Sequence, residues 1–510
     1  MASVEYSADG KTLLKASSDM TSLAIPEGVE AIAPRAFAEC GGLETITLPK
    51  SLKSIGYNAF SFCNLLVSIE LPAGLERIGS FAFCGCGSLT EIDLPDGVKE
   101  IAPSTFEDCG ALERVVFPAG LKSIGERAFF YCGSLKAVDF PPGVESIGER
   151  AFSFCASLKT AEIPSSLKEL GSGAFSDCYS LETVVLPDSL RHIGARAFKC
   201  CGSLRSINFP AALESIGYSA FFACDSLESV ELPPGVKSIG NSVFAFCRSL
   251  RSIVLPEALE EVGECVFCDC DSLQSVVFPE KTARIGRTSF KNCRALRSVV
   301  LPKELAEIED FTFESCDALE SIDLPRNVAR IGDSAFAYCA ALKSIAFPDG
   351  LVEIDDSAFA FCNSITELVF PSTLKRVGES AFAFCDLVEA VAFSSGLEEL
   401  ARRMFKGCKA LKSVVLPDTL LKVGPEAFEY CGALETIPVS AGLKHIGDYA
   451  FADCGALSAI ELFEGLETIG KFAFKRCVAL EAIVIPSSVT TLGEKAFDGC
   501  ASLEKEPEDL

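Results

Sequence analysis

Cysteine is the residue type here with the most capacity for chemistry, at 25 of 510 positions. A thiolate binds metals and attacks electrophiles, and two neighbouring thiols can join. The densest stretch is Cys265-Val-Phe-Cys268-Asp-Cys270, which contains a C-x-x-C. That spacing admits three readings: a metal site, a thiol pair open to oxidation, and plain variation at partly exposed positions. A zinc site normally needs four ligands, and the only two histidines, His192 and His445, lie far along the chain. No metal and no cofactor is therefore expected.

The remaining cysteines have a different logic. SIGERAFFYCGSL (123–135) returns 23 residues later as SIGERAFSFCASL (146–158). From Cys40 to Cys500, 21 cysteines fall at intervals of 23, each with a Phe three residues before it. Buried free cysteine behaves as a small apolar side chain. Thiols stacked one repeat apart would sit near 5 Å, while a disulfide wants Cβ atoms about 3.5–4.5 Å apart with a specific torsion. The 21 read as a packed ladder. Cys84, Cys200, Cys265 and Cys268 stand outside it.

One repeat, CGGLETITLPKSLKSIGYNAFSF from Cys40, shows which elements must hold the ladder. Leu43, Ile46 and Leu48 with Thr45 and Thr47 between give the period-two pattern of a half-buried strand. Pro49 ends it, because proline cannot donate to a strand ladder. Leu52 and Ile55 predict a second short extended piece. Gly56 follows, but Ala102, Glu309, Asp355 and Ala401 hold the same place elsewhere. Close backbone approach, not a positive φ, is the reason for glycine there. YNAFSFC reads as one helical or 3₁₀ turn with Ala, Phe and Cys facing inward. No repeat can bury this apolar set alone, so the repeats must stack. The expected organisation is a capping hairpin over 1–22 around Asp9-Gly10, a continuous solenoid of about 21 coils over 23–503, and a polar tail over 504–510.

LETITLP has the spacing of a leucine-rich repeat, and with LKSIGYNAFSFC it closely resembles the BspA-type leucine-rich repeat, over essentially the whole chain. The resemblance implies a repeat solenoid, a leucine-rich repeat horseshoe or right-handed superhelix. Each 23-residue coil would hold one parallel β-strand on the concave side, a short second strand and a short helical turn. It also implies a role in binding other proteins, often as microbial surface adhesins or interaction modules.

The totals exclude several functions. A net charge of −26 repels phosphate backbones and anionic membranes. No apolar run approaches the roughly 20 residues of a membrane helix. The N-terminus shows no secretory signal, so a cytoplasmic or otherwise reducing location is the default. A signal removed beforehand would leave a secreted or cell-surface location open. An uninterrupted period leaves no insertion to build a catalytic pocket, so an enzyme is not expected.

Contact residues must then come from the columns that vary along the repeat. Five residues after each ladder cysteine the column is mainly Ser and Thr. Seven residues after, it is acidic early, with Glu70, Asp93, Asp139 and Glu162, and Glu91 adds to it from the first column. Such a tract would select a basic protein partner. Val254, Val277 and Val300 follow in the same column, either as an apolar contact strip or as ordinary strand formers. The residue before the cysteine is aromatic at Tyr338, Phe361 and Phe384 on three successive coils. These rings are either an outward ridge or part of the core. The reading is a non-enzymatic scaffold that binds a protein on its concave strand surface. The alternatives are an adhesin for host extracellular-matrix proteins and a structural spacer.

Overall fold

In the computed structural model, which describes residues 3–394 and 396–503, the alternation of the repeat becomes strand. The polypeptide opens with a hairpin of β1 (Val4–Tyr6) against β2 (Thr12–Ala16), antiparallel. Gly10 takes φ 69°, and the Asp9 carboxylate accepts from Ser7 Oγ and the Lys11 N–H at the turn. β3 (Ser22–Ala24) pairs in parallel with β5 (Thr45–Thr47), while β2 pairs with β4 (Ala31–Ile32) and β4 with β6 (Ser54–Ile55). Most coils thus contribute one strand to each of two parallel ladders. The tail expected over 504–510 lies outside the described residues.

The chain divides into two compact units, Met1–Ala258 and Leu259–Leu510. In the first, Ser123 pairs with Ser146 and Thr160 with Thr183, a register offset of one repeat. In the second, Ser275 pairs with Ser298 and Glu367 with Ala390, at the same offset. In-register stacking places like on like. Phe37 to Phe244 in the first unit stack with ring centroids 4.9–5.8 Å apart. Phe267 to Phe497 in the second stack at 5.1–5.7 Å.

The segment expected to be a helical turn is not one: among the described residues no segment is helical. In the coil ending at Cys63, Asn58 and Phe62 take φ 54° and 60°. Left-handed residues at two positions break any i→i−4 ladder. Instead Asn58, Phe60 and Phe62 donate their N–H groups to Ser80, Ala82 and Cys84 of the next coil at 2.7–3.0 Å. Ala59, Ser61 and Cys63 donate to carbonyls three residues back at 3.2–3.3 Å. The backbone groups are satisfied along the stack, which a helix would not allow.

The glycine after the second strand has the reason expected of it. A Cβ on Gly56 would meet Pro34 N at 2.6 Å and on Gly125 would meet Pro103 N at 2.7 Å, with no positive φ at either.

Candidate interaction surfaces

The cysteine ladder is fully buried. Cys40 donates to Ser17 O at 3.5 Å, and along the rest of the ladder the thiols typically donate to the carbonyl of the Phe 26 residues earlier, as from Cys63 to Phe37 at 3.3 Å and from Cys293 to Phe267 at 3.1 Å. That carbonyl also accepts the N–H of its own coil's cysteine, as Phe60 O does from Cys63 at 3.2 Å. Burial pushes the thiols up, to about 12 at Cys247, Cys339 and Cys385. No two of the 25 cysteines are joined by a disulfide among the described residues. A thiol that is desolvated and already donating is a poor nucleophile and a poor ligand, so the ladder is packing.

Outside it, Cys84, Cys200 and Cys265 are half-buried and Cys268 is buried. Cys268 Sγ donates to Asp269 Oδ2 at 3.0 Å, and the bond with Cys265 raises its pKa further than burial does. Among the described residues no group of three His, Cys, Asp or Glu is placed to hold a metal. The histidines each tie one coil to the next, His192 Nδ1 to Ser215 Oγ at 2.9 Å and His445 Nδ1 to Thr468 Oγ1 at 3.0 Å.

The strand face carries the remaining residues. In the first unit Glu70, Glu91, Asp93, Asp139 and Glu162 are exposed. Asp139 and Glu162 share a hollow of about 610 Å³ with Val185 and three prolines, whereas Glu70 lines another. Glu91 and Asp93 are not free charges. Arg114 of the next coil reaches both, at 3.3 and 3.0 Å. The acidic tract is therefore interrupted by a cation from its own sheet, which counting acids alone misses.

Val254 of the first unit is exposed on its strand. In the second unit Val277 and Val300 are paired strand neighbours, 63% and 54% exposed. Val369, Val415 and Val484 occupy the same column further on and are at least as exposed as Val300. None of the three drew notice in the sequence, although following the column past Val300 finds them. Strand preference accounts for a valine here and there, but five in one exposed column of the second unit, broken by Asp323 between Val300 and Val369, leave a run of apolar surface.

Tyr338, Phe361 and Phe384, also in the second unit, form a half-exposed file. Their centroids lie 4.7 and 4.8 Å apart, with interplanar angles of 5° and 13°. All three residues have φ near 60°, which turns the ring out over the next coil. Phe384 covers Gly407, where a Cβ would sit 2.5 Å from its Cδ1. The rings are an outer layer separate from the buried phenylalanine stack.

Two parallel ladders per 23-residue coil, with a leucine- and phenylalanine-filled interior, define a leucine-rich repeat scaffold. The model of the BspA type leucine rich repeat region matches six times, over residues 10–136, 55–182, 99–227, 168–297, 260–388 and 378–504. The chain belongs to that family. It is similar to a leucine-rich repeat protein of Bacteroides ovatus at 31% identity, covering 72% of this chain and 85% of that one with a TM-score of 0.53. It is also similar to a leucine rich cell surface protein of Faecalibacterium prausnitzii at 26% identity, covering 81% and 94% with a TM-score of 0.32. No curated protein matches it.

Proposed function

We propose that this protein is a non-enzymatic scaffold whose strand face binds a protein partner, the hairpin over 1–22 and the repeats over 23–503 being its cap and its body. The observation that carries the reading is the exposed valine column of the second unit, Val277, Val300, Val369, Val415 and Val484. Solvent-facing apolar strips of this kind mark contact surfaces. In the first unit the acids Glu70, Asp139 and Glu162, which make no ion pair among the described residues, favour basic groups on the partner and would act mainly on association rate.

The test is capture by the folded chain, compared with a Val277→Asp, Val300→Asp variant of equal thermal stability and with Val254→Asp alone. A partner held by the parent and lost by the double variant supports the strand face. A partner kept by that variant but lost by Tyr338→Ala, Phe361→Ala, Phe384→Ala moves the contact to the ring file. No loss in either leaves the spacer reading.

The adhesin reading uses the same surface and differs in compartment. The cysteines do not decide between them: the ladder is buried and its thiols are pushed up, so it is shielded on either side of a membrane. Among the described residues no helix is long and apolar enough to cross one.

A further inference from the structure

Five residues before each ladder cysteine, four successive coils of the first unit read Arg127, Arg150, Gly173, Arg196. All four have a left-handed φ, between 51° and 60°. Arginine takes this backbone conformation on either side, so the backbone does not demand glycine at 173. The missing side chain opens a recess of about 420 Å³, within the range of small-molecule sites. Its floor is Gly173 with Ser153 and Ser176, which are only 1% and 6% exposed.

The two serine hydroxyls lie 2.7 Å apart and share one hydrogen bond. A pair of hydroxyls has two protons, and that bond uses one. The second proton has no protein acceptor among the described residues and is buried in a recess wall, so it is available to a ligand oxygen. Arg150, Arg196 and Lys199 line the walls, with the rings of Phe154 and Tyr218. Arg150 Cγ leans over Gly173, 3.1 Å from where a Cβ would stand. Its nearest carboxylate contact is a loose 3.9 Å approach to Glu149. Arg196 rests on Tyr218 at 4.9 Å and Lys199 lies 5.7 Å from the Phe222 ring centroid. Neither has a carboxylate in ion-pair reach among the described residues. Glu149 and Asp177 also line the recess, so three cations face two carboxylates in a chain of net charge −26.

We infer that this recess binds a phosphate or sulfate monoester carried on a flat ring. The guanidinium groups fork onto the oxyanion, the serine pair donates from the floor, and the carrier ring lies against Phe154 or Tyr218. The site is independent of the strand-face reading.

The test is calorimetric titration of the full chain with phenyl phosphate, phenyl sulfate, inorganic phosphate and phenol. A phenyl ester bound at least tenfold tighter than inorganic phosphate or phenol supports the proposal, and the better of the two esters identifies the oxyanion. Gly173→Arg restores the residue its column carries elsewhere and fills the recess, and it should weaken binding at least tenfold. Arg196→Gln with Lys199→Gln leaves the recess open and should do the same, which covers a Gly173→Arg chain that fails to fold. No binding of either ester at millimolar concentration, or binding unchanged in these variants, overturns the assignment.

Discussion

Native thiol labelling puts the packing role of the cysteines at risk. The perturbation is N-ethylmaleimide at pH 8 on the folded chain, with modified positions mapped by peptide mass spectrometry. An ordinary thiol near pKa 9 is about one-tenth thiolate at that pH, whereas one at 12 is about one ten-thousandth. Burial holds Cys247, Cys339 and Cys385 at about 12. Their reactive fraction is therefore down roughly a thousandfold before steric access is counted. Cys84 is only half-buried but sits at about 11, raised by burial and then by Glu107, which slows it about a hundredfold. The expected result is modification at Cys200 and Cys265, slower modification at Cys84, and protection of the other 22 of 25 until denaturant is added. Ladder positions labelled at rates near that of Cys200, or recovered as disulfides from the untreated chain, would refute the account.

Other outcomes follow from the same packing. Phe152→Ala removes a fully buried ring stacked at 5.1 and 5.4 Å on Phe129 and Phe175. It should cost about 4 kcal/mol, with hydrogen-exchange protection lost first in the coils beside it; a loss below about 1 kcal/mol in denaturant melts contradicts the ring stack. Cys155→Ala loses the thiol's bond to Phe129 O and leaves a small void, for about 1–2 kcal/mol. Cys155→Ser keeps a donor and should cost less, so equal losses would show that the S–H···O bond contributes nothing. Glu426 is pushed up by burial but pulled further down by Arg403, Lys406 and Arg402, to about 2. Its folded pKa lies below the unfolded value near 4.5, so its stabilisation is present above that pH and is lost as pH falls toward 2. With screening allowed for, the effect is on the order of 2 kcal/mol. The stability gap between the parent and Glu426→Gln should shrink by more than half of that amount between pH 7 and pH 3 in thermal melts, the rest going as pH falls toward 2.

The interior was legible because translation by 23 residues forces like side chains together. Once Phe60 and Cys63 share a coil, their copies must stack, and Leu43 and Ile46 must face in with them. What lay beyond reach was dihedral. YNAFSFC has the apolar spacing of a helical turn, and nothing in its residue types announces a left-handed Phe62. Aromatic residues rarely take that conformation. Here the inter-coil hydrogen bonds and the ring-on-ring contacts offset its cost, and both exist only once the coils are stacked. The same hidden torsion decides that Tyr338, Phe361 and Phe384 lie outside the core.

Charge on the strand face was legible only in part, for a related reason. A column read alone lists Glu91 and Asp93 as two acids, while register brings Arg114 between them. In a stacked repeat the neighbour of a residue is the one 23 positions away, so a charge must be read with its counterpart on the next coil. The same rule makes the small residue informative. Gly173 says nothing within its own sequence, but between Arg150 and Arg196 it is a gap in a row of cations. A uniform scaffold has no loop insertions from which to build a pocket. Leaving out a side chain is one means it has, and the residues flanking the gap then set the chemistry of what fills it.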